Sequence, residues 1–176
     1  MDRVVGEISF NKLVFSYPER ERVLDGLELV IPAGQTMGLV GSTGSGKTTL
    51  VRLLMRFHDP DSGRILLDGK HLTDLKLDSL RGSISLVSQN TTLFPGSVLD
   101  NIRYGKPDAS VESAREAANI AEATEFIDIL PNGWYTEIGE GGHRLSGGQR
   151  QRIAIARAVL KDAPILARFA SFPNCE

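Results

Sequence analysis

The sequence has very little cysteine and almost no excess of charge. Its single cysteine, Cys175, is the next-to-last residue, which excludes a disulfide framework within the chain and is typical of a reducing compartment. Lys and Arg number 20 and Asp and Glu 22, which gives a net charge of -2. We therefore expect no broad electrostatic attraction to nucleic acid or to anionic lipid.

Long apolar runs are also missing. No run approaches the roughly 18 residues that cross a bilayer, and the first residues, MDRVVGEISF, lack the apolar core of a signal peptide. Read alone, the chain is expected to be soluble, so a membrane role would come through a partner or another segment. With 41% apolar and 24% charged residues, the 176-residue chain has the composition of an ordinary globular domain.

The first half of the chain predicts strands around a glycine-rich loop. Apolar residues alternate over 8–10 and, after a phase shift at Asn11-Lys12, over 13–17, which indicates a strand pair or a bulged strand. A second strand is predicted at 23–31. A short buried run, 36–40, is expected to lead into the glycine loop.

A helix, two more strands, a helical region and a last strand follow the loop. Four residues at helical spacing predict one apolar face: Leu50, Leu53, Leu54 and Phe57. Further strands are predicted at 63–67, closed by the turn pair Asp68-Gly69, at 84–87, and from Pro164 onward. Helices are predicted at 98–102, 111–121, 125–130 and 146–160. An alanine face on the second of these would allow close packing: Ala114, Ala117, Ala118 and Ala121.

The glycine loop, GSTGSGKT, matches the phosphate-loop pattern G-x-x-x-x-G-K-[ST]. Its glycines let backbone N–H groups turn toward phosphate oxygens, and the positive end of the following helix favours an anion. Lys47 would reach the β- and γ-phosphates, and the Thr48 hydroxyl would bind Mg²⁺. A chance glycine-rich turn is the alternative, and the strand before and helix after it disfavour that alternative. The predicted ATP-binding residues here are Gly41, Ser42, Thr43, Gly44, Ser45, Gly46, Lys47, Thr48 and Thr49.

A second motif, LSGGQ, begins the last predicted helix. Its Ser and Gln have the S-x-x-Q spacing of a capping box, and the two glycines between them leave backbone N–H groups accessible to an anion. Alone, the motif indicates only a well-capped helix. Its residues are Leu145, Ser146, Gly147, Gly148 and Gln149.

Together, the two motifs resemble the nucleotide-binding domain of ABC transporters, and the similarity runs from about residue 6 to 166. It implies an α/β fold: a P-loop NTPase (ABC-type ATPase) core with N-terminal antiparallel β strands and a helical subdomain, incomplete at its C-terminus. The core is predicted at 6–88 and 150–166 and the helical subdomain at 89–149. Residues 167–176 form a tail of no recognisable family pattern.

The resemblance also implies ligands and partners. ATP with Mg²⁺ would lie in a head-to-tail dimer, between the phosphate loop of one domain and the signature residues 145–149 of a second nucleotide-binding domain. Tyr17 would stack on adenine, although it could be an ordinary strand aromatic. Gln89 would act in catalysis and at the metal together with Thr48, although it could be a surface glutamine. A transmembrane domain is the other expected partner, at the cytoplasmic face of the membrane, and no nucleic acid is expected.

Several stretches resemble the exporter branch, which includes lipid A flippases and multidrug pumps. TEIGE at 136–140 resembles the TEVGE that precedes the signature in exporters, and LFPGSV at 93–98 agrees with it. The transported substrate is not encoded in this domain. For the other candidate residues we expect structural roles. Surface positions are expected for His58, His71 and His143, and packing for Trp134. Structural pairing or a dimer surface is expected for Arg150, Arg152 and Arg157.

The sequence departs from the family where hydrolysis requires acidic residues. Continuing from KDAPIL at 161–166, Phe169 stands where the family has the metal-binding Asp, and Ala170 where it has the catalytic Glu. The switch histidine is also missing. We therefore expect ATP binding without turnover and, because a central strand is incomplete, a chain prone to aggregation. Two alternatives stay open: a soluble ABC-type ATPase of DNA repair or translation, and a non-catalytic nucleotide-binding fragment.

Overall fold

The computed structural model describes residues 4–18, 21–139, 142 and 144–169. The chain divides into two compact units, the first ending at Ile84 and the second beginning at Ser85. Within these described ranges, no helix combines the length and the hydrophobicity that crossing a membrane requires.

The first unit is built on a four-stranded antiparallel sheet. Its strands are β1 (Ile8–Ser16), β2 (Arg22–Ile31), β3 (Ser62–Leu67) and β4 (Lys70–His71), in the order β2-β1-β3-β4. The predicted phase shift in β1 is confirmed as an irregularity in its pairing between Phe10 and Leu13, with Lys12 at a φ of 45°. The predicted turn at Asp68-Gly69 is also confirmed, since both residues have positive φ and join β3 to β4.

Two helices complete the described part of the first unit, α1 (Lys47–Leu54) and α2 (Leu77–Gly82), with a 3₁₀ turn at Leu72–Asp74. The apolar face of α1 is buried through Leu50, Leu53 and Leu54. The prediction that Phe57 extends this face is wrong: the helix ends at Leu54 and Phe57 is 54% exposed. Arg56 has a φ of 54°, a left-handed conformation that no helix continues through.

The prediction of a short buried run at 36–40 is also wrong. These residues form neither a strand nor a buried run, and Met37, Leu39 and Val40 are 40%, 40% and 70% exposed. Apolar character alone does not make a strand, because strand geometry is stabilised by hydrogen bonds to a neighbouring strand. No strand of the described residues pairs with this segment.

The second unit is mainly helical. Its strands are β5 (Ile84–Val87), all but the first residue of which belong to this unit and which pairs with β8 (Ile165–Arg168), and β6 (Gly96–Ser97), which pairs with β7 (Glu137–Ile138). Its helices are α3 (Val98–Arg103), α4 (Val111–Ile120), α5 (Thr124–Asp128) and α6 (Gly147–Lys161), with a 3₁₀ turn at Gly133–Tyr135.

One apolar cluster organises these helices. It includes the predicted alanine face of α4, whose members Ala114, Ala117 and Ala118 are at most 3% exposed, together with Trp134 and Ile153. Small side chains let α4 approach α6 closely, so both helices share one core. The packing role predicted for Trp134 is confirmed.

Candidate functional site

The phosphate loop lies directly before α1 in the first unit. Gly44 and Gly46 have φ values of 89° and 88°, which side chains rarely tolerate, so the loop requires glycine at both positions. Lys47 begins the helix, as the motif predicted, and its Nζ donates to the carbonyl oxygens of Gly41 and Ser42, the latter at 2.7 Å. The ammonium group is thus held against the loop in which it is expected to bind phosphate.

The loop residues fit an anionic ligand. A Cβ on Gly41 would lie 2.7 Å from Ser45 Oγ, and one on Gly46 would lie 2.8 Å from Leu24 Cδ2, so a larger residue at either position would require these side chains to shift. The N-cap of α1 makes no side-chain hydrogen bond, and no acidic residue occupies its first turn. Its N-terminal N–H groups therefore lack an intramolecular anion. Thr48 is exposed, whereas the neighbouring Thr49 is buried.

Tyr17 contacts the same helix. Its hydroxyl lies 3.3 Å from Thr49 Oγ1 and accepts a hydrogen bond from an Arg52 guanidinium N–H at 3.2 Å. The ring packs edge-to-face with Phe15 and with His58, at centroid distances of 5.0 and 5.3 Å. The structure therefore brings Tyr17 and the phosphate-loop helix together. His58, expected at the surface, is exposed overall but takes part in this aromatic group.

The signature residues begin α6 in the second unit. The predicted capping box is confirmed: the Gln149 N–H donates to Ser146 Oγ at 3.2 Å, and the Ser146 N–H donates to Gln149 Oε1 at 2.8 Å. Gly147 and Gly148 are exposed, and no heavy atom lies within 4 Å of where a Cβ of Gly148 would be. Leu145 is buried in the core and anchors the motif, while the helix N-terminus faces outward.

Gln89 lies beside this helix start. It lines a cavity of ≈ 390 Å³ together with residues 90–92 and with Gly147, Arg150 and Gln151. Two predicted functional segments, one around Gln89 and one at the signature, therefore meet in one unit. Thr48 belongs to the first unit and Gln89 to the second, so the Mg²⁺ role predicted for the pair stays a prediction.

The arginines of α6 have structural partners. Arg150 donates to the Leu145 carbonyl at 2.6 Å and Arg152 to the Glu122 carbonyl at 2.9 Å. Arg157 is half-buried and donates to Asn101 through two guanidinium nitrogens, and burial lowers its pKa. The alternative of structural pairing is thus observed for all three. Glu140, His143 and the residues from Ala170 to Glu176 lie outside the described residues.

A match to a family model assigns the chain to a protein family. The model described as "ABC transporter" matches residues 24–167. The chain belongs to the ABC transporter family.

Individual members of the ABC transporter family show the same relationship. The chain is 56% identical over 162 residues to an "ATP-dependent lipid A-core flippase" of Chromobacterium violaceum. The aligned residues cover 92% of this chain and 28% of that protein. It is 50% identical over 168 residues to "ABC transporter B family member 19" of Arabidopsis thaliana, which covers 94% of this chain and 13% of the relative. The chain thus spans less than a third of these relatives.

Among solved structures, a bacterial Atm1-family ABC exporter with ATP bound matches the fold with a TM-score of 0.91 and 42% sequence identity. The match covers 94% of this chain and 30% of that one. The ABC ATPase fold and the resemblance to exporter-type nucleotide-binding domains are therefore confirmed. The domain boundaries and the roles of individual site residues stay predictions.

Sequence reasoning missed two contributors to the site, Arg52 and His58. A signal was present for Arg52, because it lies three residues after Thr49 and hence on the same face of α1. Nothing local indicated that this face meets Tyr17, since β1 and α1 are distant in sequence.

Proposed function

We propose that the chain binds Mg-ATP through the phosphate loop at 41–49. The observation that carries the proposal is the loop itself, with two left-handed glycines, an uncapped helix N-terminus and Lys47 held over its carbonyls. Lys47 would neutralise phosphate charge after exchanging its carbonyl partners for phosphate oxygens. Thr48 would hold Mg²⁺, which supplies charge neutralisation between the phosphates, and Tyr17 would stack on adenine.

The signature helix completes such a site from another domain. The first-turn N–H groups at Gly147 and Gly148 have no acceptor within their helix and are exposed, so they suit the phosphates of a nucleotide held by a partner's phosphate loop. The Ser146 hydroxyl already accepts from the Gln149 N–H and still has its own proton to donate. We infer a head-to-tail pair of nucleotide-binding domains attached to a transmembrane domain at the cytoplasmic face of a membrane.

Export is the process that this domain would drive, because a lipid A-core flippase is among the relatives and an ABC exporter is among the similar solved structures. The same relatives favour an exporter over the soluble repair or translation ATPase. Hydrolysis by this chain is not expected. Phe169 stands at the predicted metal-binding position and its N–H donates to the Val87 carbonyl at 3.0 Å, but its side chain offers no oxygen to a metal ion.

The test is an ATP titration by calorimetry with and without Mg²⁺, comparing the parent chain with Lys47→Ala. Losing the charge-assisted hydrogen bonds of one ammonium group should weaken binding by about ten- to a hundredfold. Lys76→Ala removes an exposed lysine of the same unit and should leave affinity unchanged. ATP binding that is equal in all three proteins would refute the role of the loop.

Turnover and partnership need separate measurements. Phosphate release by the same preparation should stay at the background level of Lys47→Ala, whereas clear hydrolysis abolished by that substitution would show that an acidic group acts from another position. Co-purification with a membrane-embedded transporter domain is expected. Retention on DNA or ribosomes instead would favour the soluble alternative.

A further inference from the structure

The hydroxyl of Tyr17 is tethered to the helix that carries the phosphate loop. Thr49 Oγ1 lies 3.3 Å from it, and the Arg52 guanidinium donates to it at 3.2 Å. Thr49 and Arg52 are three residues apart on α1, so both reach the same side of the helix. The helix begins at Lys47, and the tether therefore connects the tyrosine to the expected phosphate-binding group through about one and a half helical turns.

The ring of Tyr17 is restrained as well as its hydroxyl. Phe15 and His58 both pack against it with near-perpendicular planes, at 83° and 87°. Edge-to-face packing is a favoured arrangement of two aromatic rings, so these contacts restrain the ring. The hydrogen bond from Arg52 restrains its far end as well, because it favours one position of the hydroxyl.

We propose that Arg52 is a positioning residue that sets the orientation of Tyr17 for the base of a bound adenine nucleotide, an inference that rests on the proposed function. Arg52 acts on base recognition and not on phosphate binding. An aromatic ring that is already oriented loses less conformational freedom when a base stacks on it, so the tether raises affinity without contacting the ligand.

Arg52 is suited to a test because its removal spares the fold. The residue is exposed on α1, whose buried face is formed by other positions, and alanine is the best helix former. Thr49 is a poorer target, since it is buried and adjoins the phosphate loop. Arg64, exposed on β3 in the same unit, offers a matched arginine for the control.

The experiment measures affinity of the full 176-residue chain for two probes, ATP and inorganic tripolyphosphate. Arg52→Ala should weaken ATP binding by about two- to tenfold, the range of one net hydrogen bond, and should leave tripolyphosphate binding unchanged. Arg52→Lys, which keeps a donor of similar reach, should recover part of the loss. Arg64→Ala should bind both probes like the parent.

A double-mutant cycle shows whether Arg52 acts through the tyrosine hydroxyl. Tyr17→Phe keeps the ring and removes the hydroxyl, so Arg52→Ala should have no further effect on ATP affinity in that background. Full additivity, an equal loss for both probes, or no loss at all would each overturn the proposal. A parent chain that binds neither probe would instead refute the proposed function and this inference with it, which separates the two failures.

Discussion

Replacing Arg157 by methionine should destabilise the second unit strongly. The guanidinium donates through Nε to the Asn101 carbonyl at 2.9 Å and through a terminal nitrogen to Asn101 Oδ1 at 3.1 Å. It also lies 5.2 and 5.5 Å from the ring centroids of Phe94 and Tyr104. Methionine keeps the apolar stem and removes the charge and all donors, so the change isolates these interactions.

The expected loss follows from the contacts. Hydrogen bonds from a charged donor contribute about 1.5–3 kcal/mol each, and a partly exposed cation–π contact contributes about 0.5–1 kcal/mol. Burial opposes them, as the lowered pKa of Arg157 indicates, because the charged group loses hydration. We therefore take the lower end for both hydrogen bonds and expect a decrease of about 3 kcal/mol in the free energy of unfolding.

Urea unfolding followed by tryptophan fluorescence measures this loss. Trp134 is the single tryptophan, lies buried in the second unit and donates from Nε1 to Asp128 at 2.9 Å, so its emission reports that unit. With an m-value of about 2 kcal/mol/M, the midpoint should fall by about 1.5 M. Arg157→Lys, which keeps the charge and loses the fork geometry, should fall between the parent and Arg157→Met.

The control is Arg152→Met on the same helix. Arg152 is exposed and donates to the Glu122 carbonyl, so its replacement should cost about 0.5 kcal/mol or less. Equal midpoints for Arg152→Met and Arg157→Met would refute the reasoning, because the buried contacts would then contribute no more than the exposed one.

Two further predictions concern titration and solubility. Hydrogen bonds from Ser97 hold the pKa of Asp100 below its usual range, so this carboxylate stabilises the chain above that range and the contribution disappears as the pH falls through the lowered pKa. Asp100→Asn should therefore lower the free energy of unfolding by about 1 kcal/mol near pH 7. Urea midpoints of the variant that differ equally from those of the parent at pH 7 and at pH 2 would contradict this prediction. The exposed apolar residues after β2 should promote self-association, so the double substitution Leu39→Ser with Val40→Thr should lower the mean mass measured by light scattering. The control Val30→Thr, at another exposed valine, should leave that mass unchanged. A parent chain that is monodisperse at the same concentration would contradict the prediction.

Features fixed by neighbouring residues could be predicted from the sequence. The start of α1 at Lys47, the capping box of Ser146 and Gln149, and the turn at Asp68-Gly69 each depend on contacts or dihedral angles within four residues. These local signals position the phosphate loop and the signature, so both motifs of the candidate site can be recognised in the sequence. Family resemblance then supplied the ligand and the partners that local chemistry does not specify.

Other features were decided only by tertiary structure. The segment 36–40 has the apolar character of a buried strand, but a strand is stabilised by its neighbours, and none among the described residues pairs with it. Tyr17 meets Arg52 because β1 and α1 fold together, and Arg157 is half-buried because α3 and α6 pack together. The sequence alone specifies periodicity and caps, whereas contacts between distant segments depend on how the whole chain packs.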